Sequence, residues 1–153
     1  MKLFRSILLL SLFLILGCRE NPALNEQQQN LVKDEIRQFM DEMDADVAIM
    51  NEADYANRFL NTDELAVATQ GKLLTSYDAI RDTIHVHLSA MQKQKVQNID
   101  EKIFIIDRNH AVISTSKLTH VTLKNGAEFT MPYALTIFLV KRNGEWKIAH
   151  YHN

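Results

Sequence analysis

The chain ends in Trp146-Lys147-Ile148-Ala149-His150-Tyr151-His152-Asn153. Read as a strand, its side chains alternate, so Trp146, Ile148, His150 and His152 share one face and Lys147, Ala149 and Tyr151 the other. Two histidines two residues apart can do three kinds of chemistry. One ring can be a general acid or base, because imidazole titrates near neutrality. The pair can hold a metal. Or the rings can hydrogen-bond a polar ligand. The plain alternative is that they close the wet end of a core strand and meet only water or backbone. No metal is expected, since no carboxylate follows at ligand spacing and the other His are scattered. The Trp146–Ile148 face should look inward. Burying a side chain of Ile size contributes roughly 1.5–3 kcal/mol, whereas burying Lys147 unpaired would cost far more. On that reading His150 and His152 sit near the mouth of a cavity, as candidate catalytic or ligand-binding groups.

Other residues qualify as walls of such a cavity. His87 lies beside the Ile84–Leu88 stripe of a helix, while His85 is turned about 200° from it at roughly 100° per residue and should face water. Tyr55 and Tyr133 each bring an apolar body and a polar tip, as does Trp146, whose first duty is to fill core. The ligand-pocket set is therefore Tyr55, His87, Tyr133, Trp146, His150 and His152. Asp41, Glu42, Asp44 and Asp46 cluster on one helix and read as a solvated face, because the calcium-loop pattern is absent.

The first residues belong to a different kind of sequence. Lys2 and Arg5 precede an apolar run, Ile7 to Leu16, too short to span a bilayer at roughly 20 residues. Gly17-Cys18 follows, and Ile15-Leu16-Gly17-Cys18 resembles a bacterial lipobox, with Leu16 a departure from the small residue usual there. The resemblance implies residues 1–17 as a signal peptide, lipid on Cys18, residues 18–24 as a tether and 25–153 as the domain. Cys18 is the only Cys, so it has no disulfide partner in the chain. The expected place is the bacterial cell envelope, with the membrane as partner through Cys18. Arg19 favours the outer membrane where there is one. Loss of Lys2 and Arg5 takes Lys+Arg from 17 to 15 against 19 Asp+Glu, a formal charge of −4. That balance disfavours nucleic acid as a partner. With four Gly and no P-loop or dinucleotide fingerprint, no cofactor is expected.

The elements that must position these groups follow from periodicity. Apolar residues from Leu31 to Met50 recur at three- and four-residue steps, predicting a long helix over 25–51. A short helix over 51–61 is capped by Asn51, with Asp54 as capping partner. Leu65 to Thr69 reads as a strand closed by a turn at Gly71. Ser76 caps a third helix running to about Gln92. Strands follow over 96–107, 110–123, 128–142 and 145–152, the last two pairs joined by Asn-Gly turns. Pro132 marks an edge or a bulge. Helices segregated from an antiparallel meander mean an α+β fold.

This order, with the ending Gly-Glu-Trp-Lys-Ile-Ala-His-Tyr-His-Asn, resembles the SnoaL-like branch of the nuclear transport factor 2-like superfamily over roughly Leu31 to Asn153. Trp146, Lys147, Ile148, His150 and His152 carry the match. The resemblance implies a cone-shaped, cystatin-like domain: a curved antiparallel sheet wrapped around the long N-terminal helix, with a pocket at the open end. It also implies a homodimer across the outer sheet face. Enzymes of the superfamily place an acid or a His–Asp pair inside the cone, and no such pair can be matched in this sequence. Two expectations stand together. One is a tethered binding module for a small apolar or amphipathic ligand. The other is an isomerase, dehydratase or cyclase using His150 or His152 as base.

Overall fold

The computed structural model describes residues 23–153. The leader, Cys18 and most of the tether lie outside the described residues. Helix α1, Glu26–Ala48, opens on a capping box: Asn25 accepts from the Gln28 backbone N–H, and the Gln28 side chain accepts from that of Asn25. Its heptad-like apolar positions bury Val32, Ile36, Phe39, Met40, Met43 and Val47. Helix α2, Glu52–Asn57, is capped by Asn51, which also bonds the Asp54 carboxylate. Helix α3, Tyr77–Ser89, is capped by Ser76 and buries Ile80, Ile84 and Leu88.

Six strands form one sheet: β1 (Ala66–Thr69), β2 (Lys72–Leu74), β3 (Met91–Ile105), β4 (His110–Leu123), β5 (Glu128–Arg142) and β6 (Glu145–His152), in the order β2-β1-β6-β5-β4-β3. Neighbours run antiparallel except β1 and β6, which are parallel. Asn143 and Gly144 both adopt positive φ, 54° and 86°, as a two-residue hairpin turn requires. The sheet curls over α1, and α2 and α3 close the remaining side. One apolar core of buried residues runs from Val32 to Ala149, with Leu24 packed against it, so the segment 25–153 contains every described helix and strand and all the buried core residues.

The sequence pattern and the structure part in four places. A hairpin at Gln70-Gly71, with φ of 50° and 73°, creates β2, whose three residues are too few to show a period. Helix α3 stops at Ser89, so Met91 opens β3 rather than closing the helical stripe. The parallel β1–β6 pair makes the sheet mostly, not wholly, antiparallel. Pro132, by contrast, keeps the edge position its sequence implies: it lies where β5 pairs only with β4, because β6 ends opposite Thr136, and the ring costs no ladder bond on that free side. The fourth difference, in β6, bears on the site.

Candidate functional site

A cavity of about 420 Å³ opens between α1, α2, α3 and the inner sheet face. Met43 and Val47 of α1, Ile80, Ile84 and Leu88 of α3, and Val67, Val96, Val121 and Leu135 of the sheet give it apolar walls. Met91, Phe129 and Met131 stand toward the tips of β3 and β5, and Phe129 and Met131 are exposed. Polar residues also line it: Asp44, Tyr55, Thr119, Tyr133 and Tyr151, with Thr69, Gln70, Thr83, His87, Gln94 and Asn153. Tyr55 packs edge-on against Phe59, ring centres 5.7 Å apart, and Phe59 meets Tyr151 at 6.3 Å. These aromatics are held in place by the Arg58–Leu60 segment, which hydrogen-bonds along the edge of β6: Leu60 N–H donates to Ile148 O at 2.9 Å and Ile148 N–H to Arg58 O at 2.8 Å. Arg58 in turn binds Asp46 at 2.8 Å and Glu42 at 2.8 Å on α1.

Among the described residues Asp44 is the one formally charged side chain on the cavity wall. It accepts a hydrogen bond from the Lys117 ammonium of β4, and Lys117 is only 2% exposed. Burial raises the Asp44 carboxyl above its ordinary range, and the Lys117 bond opposes that rise without cancelling it. Burial likewise raises the phenols of Tyr55, Tyr133 and Tyr151, with neighbouring acids adding to it, so all three stay neutral over the physiological range. Thr119 is 2% exposed. Its hydroxyl neighbours Tyr133 but closes no hydrogen bond of ordinary geometry, and it is the one buried side-chain polar atom among the described residues left without a partner. Water or a ligand group is the usual answer to such an orphan.

Of the residues singled out in the sequence, Tyr55, His87 and Tyr133 lie on the cavity wall, with His87 exposed at its rim. His150, His152 and Trp146 do not. The cause is a β-bulge: Leu139 pairs with Ile148 and Phe138 with His150, so Ala149 is an extra residue in β6. The bulge reverses the alternation. Trp146 and Ile148 point inward as expected, but beyond Ala149 it is Tyr151 that enters the cavity, while His150 and His152 are exposed on the outer face. Neither His can act inside the cone. Trp146 is buried, but against α1, where its indole N–H donates to Glu35 at 3.0 Å.

The acidic cluster of α1 also departs from the solvated face expected of it. Asp46 is buried on Arg58, and Asp44 faces the cavity. Asp44 falls one residue after Met43 and three before Val47, at the margin of the buried stripe; that spacing was the available signal. Lys117 sits between Thr115 and Thr119 on the inward row of β4, where alternation alone places it inside. Among the described residues no group of His, Cys, Asp and Glu is arranged to hold a metal ion, and no helix is long and apolar enough to cross a membrane.

Comparison with known proteins bears on this architecture. A family model described as a SnoaL-like domain matches residues 36–153. No curated protein is detectably similar in sequence. Among solved structures, a protein assigned provisionally as a scytalone dehydratase from Novosphingobium aromaticivorans superposes with a TM-score of 0.76 at 14% identity, over 84% of this chain and 86% of that one. A nuclear transport factor 2-like superfamily protein from Salmonella enterica serovar Typhimurium gives 0.72 at 15% identity, over 81% and 90%. A hexachlorocyclohexane dehydrochlorinase from Novosphingobium barchaimii gives 0.69 at 11% identity, over 84% and 88%. At these identities the likeness is one of fold.

Proposed function

The chain belongs to the SnoaL-like family, within the nuclear transport factor 2-like superfamily, and from that premise we propose that it is an envelope-tethered domain whose cavity holds one small, largely apolar molecule. The observation that carries the reading is the cavity itself. Its 420 Å³ lies in the range of about 300–1,000 Å³ common to small-molecule sites. Its walls are mainly apolar, with polar groups among them that can orient a guest, a division usual in small-molecule sites. The lipobox-like Ile15-Leu16-Gly17-Cys18 supports the tether. Phe104 of β3 is exposed, as is Ile106 just beyond the end of that strand, which supports a homodimer through the outer sheet face. The test of the cavity is a titration of the 25–153 chain with 1-methoxynaphthalene, a neutral fluorescent probe. One-to-one saturable binding is expected; a signal that rises without saturation contradicts the reading.

A second reading, an enzyme of the isomerase or lyase type, is favoured by Asp44. Its carboxyl is desolvated and its protonation is shifted upward, as suits a general base, and the Tyr55, Tyr133 and Tyr151 hydroxyls can polarise a carbonyl. Asp44 takes the role that His150 and His152 cannot fill. The relevant assay is deuterium exchange at the carbon next to the carbonyl of 1-tetralone in heavy water. Exchange faster than buffer, and lost in Asp44→Asn, is the expected result for the enzyme; exchange equal to buffer rules it out for this substrate type.

A further inference from the structure

We infer that the molecule held in the cavity is uncharged and carries a hydroxyl group, phenolic, enolic or alcoholic, at the end that reaches Asp44. This rests on the cavity reading above and adds the identity of the head group. Asp44 bonds Lys117 through one carboxylate oxygen; its other oxygen, on a side chain 23% exposed, has no hydrogen-bond partner among the described residues and is open to the cavity. A carboxylate oxygen only accepts, so it calls for a donor. The Thr119 hydroxyl, buried and without a partner, can both donate and accept, and so can the neighbouring Tyr133 hydroxyl.

A head group that serves this set must donate to Asp44 and accept from Thr119 or Tyr133. A hydroxyl does both. An ether or a simple ketone only accepts, and leaves Asp44 unanswered. A carboxylate only accepts, and would add a second negative charge beside the first. An ammonium only donates, and would be brought against the buried Lys117 charge. The Asp44–Lys117 pair is already neutral as a unit, so a charged guest has no free counter-ion there and pays its desolvation uncompensated. The apolar body of the guest then lies along Ile84, Val121 and Leu135.

Three probes of one size separate the cases at pH 7: 1-naphthol, 1-methoxynaphthalene and 1-naphthoate, each titrated into the 25–153 chain. The expected order is 1-naphthol about tenfold tighter than 1-methoxynaphthalene, the worth of one hydrogen bond to a charged acceptor, and no saturable binding of 1-naphthoate. Thr119→Val is the matched variant. It removes an orphan hydroxyl at nearly constant shape, so the fold should be kept. It should weaken 1-naphthol several-fold, because the guest oxygen loses the donor it accepts from, and 1-methoxynaphthalene, whose ether oxygen accepts from the same hydroxyl, should weaken with it while staying the poorer ligand. Equal binding of 1-naphthol and 1-methoxynaphthalene overturns the head group while the cavity reading stands. So does tight binding of 1-naphthoate, or a Thr119→Val chain that binds 1-naphthol as before. Failure of all three probes to bind removes both readings.

Discussion

Asp44 on α1 and Lys117 on β4 stand 73 residues apart in the chain and are joined by a part-buried hydrogen bond at the cavity wall. The bond ties the helix to the sheet at the point where apolar packing gives way to open space. It also compensates a lysine that the alternation of β4 forces inside. Replacing one partner strands the other. Lys117→Met should therefore destabilise the fold by on the order of 3 kcal/mol, the usual cost of breaking such a pair from one side. Adding Asp44→Leu should return most of that loss. Urea unfolding of both variants checks it, and a double variant no more stable than the single one would show the pair is not the cause.

Glu35 gives the fold an acid-sensitive contact with its own reporter. Burial acts to raise its carboxyl, but hydrogen bonds from Lys141 and Trp146 and the Lys141 charge outweigh it, so the net shift is downward from 4.5. A carboxyl lowered in the folded state contributes stability above its unfolded pKa and loses it as pH falls through the folded one. Trp146 is the only Trp, and its indole donates to Glu35. Its fluorescence should titrate below pH 4.5 and cease to do so in Glu35→Gln. Asp44 has the opposite sign. Its raised carboxyl means the unfolded chain ionises first, so its contribution to stability falls as pH rises from 3.8 through the folded value.

The bulge at Ala149 predicts a contrast between adjacent residues. His150 is exposed on the outer face; His150→Ala should leave probe binding unchanged and stability within about 0.5 kcal/mol. Tyr151 enters the cavity and touches Phe59; Tyr151→Ala should cost about 3 kcal/mol and weaken binding. Paired melts and titrations decide. A His150→Ala chain that loses binding would mean that the bulge is misplaced.

Cys18→Ala should release the protein from the membrane or leave its precursor unprocessed. Detergent-phase partitioning reads the difference directly. Partitioning unchanged by the substitution removes the lipid anchor from the account.

Most of the architecture could be read from residue patterns because long elements average over local exceptions. The buried stripe of α1 has no Gly or Pro to interrupt it, and the Asn143-Gly144 turn is set by backbone sterics. The site was less legible. A single inserted residue, Ala149, exchanges the faces of a strand, and nothing in the Trp-Lys-Ile-Ala-His-Tyr-His alternation marks it. Alternation along β4 places Lys117 inside and the helical spacing sets Asp44 at the margin of the buried stripe, but that the two pair across 73 residues leaves no local trace. Tyr55 and Tyr133 were legible as walls, since a half-polar aromatic suits the border between core and water.

The central claim is that the space beside Met43 receives an apolar guest, and the methionines report it. Met43, Met91 and Met131 line the cavity, while Met40 and Met50 do not. In the 25–153 chain carrying 13C-methyl methionine, 1-methoxynaphthalene should shift the Met43, Met91 and Met131 methyls along one saturable curve and leave Met40 and Met50 in place. Shifts confined to the exposed Met131, with the buried Met43 unmoved, would contradict it.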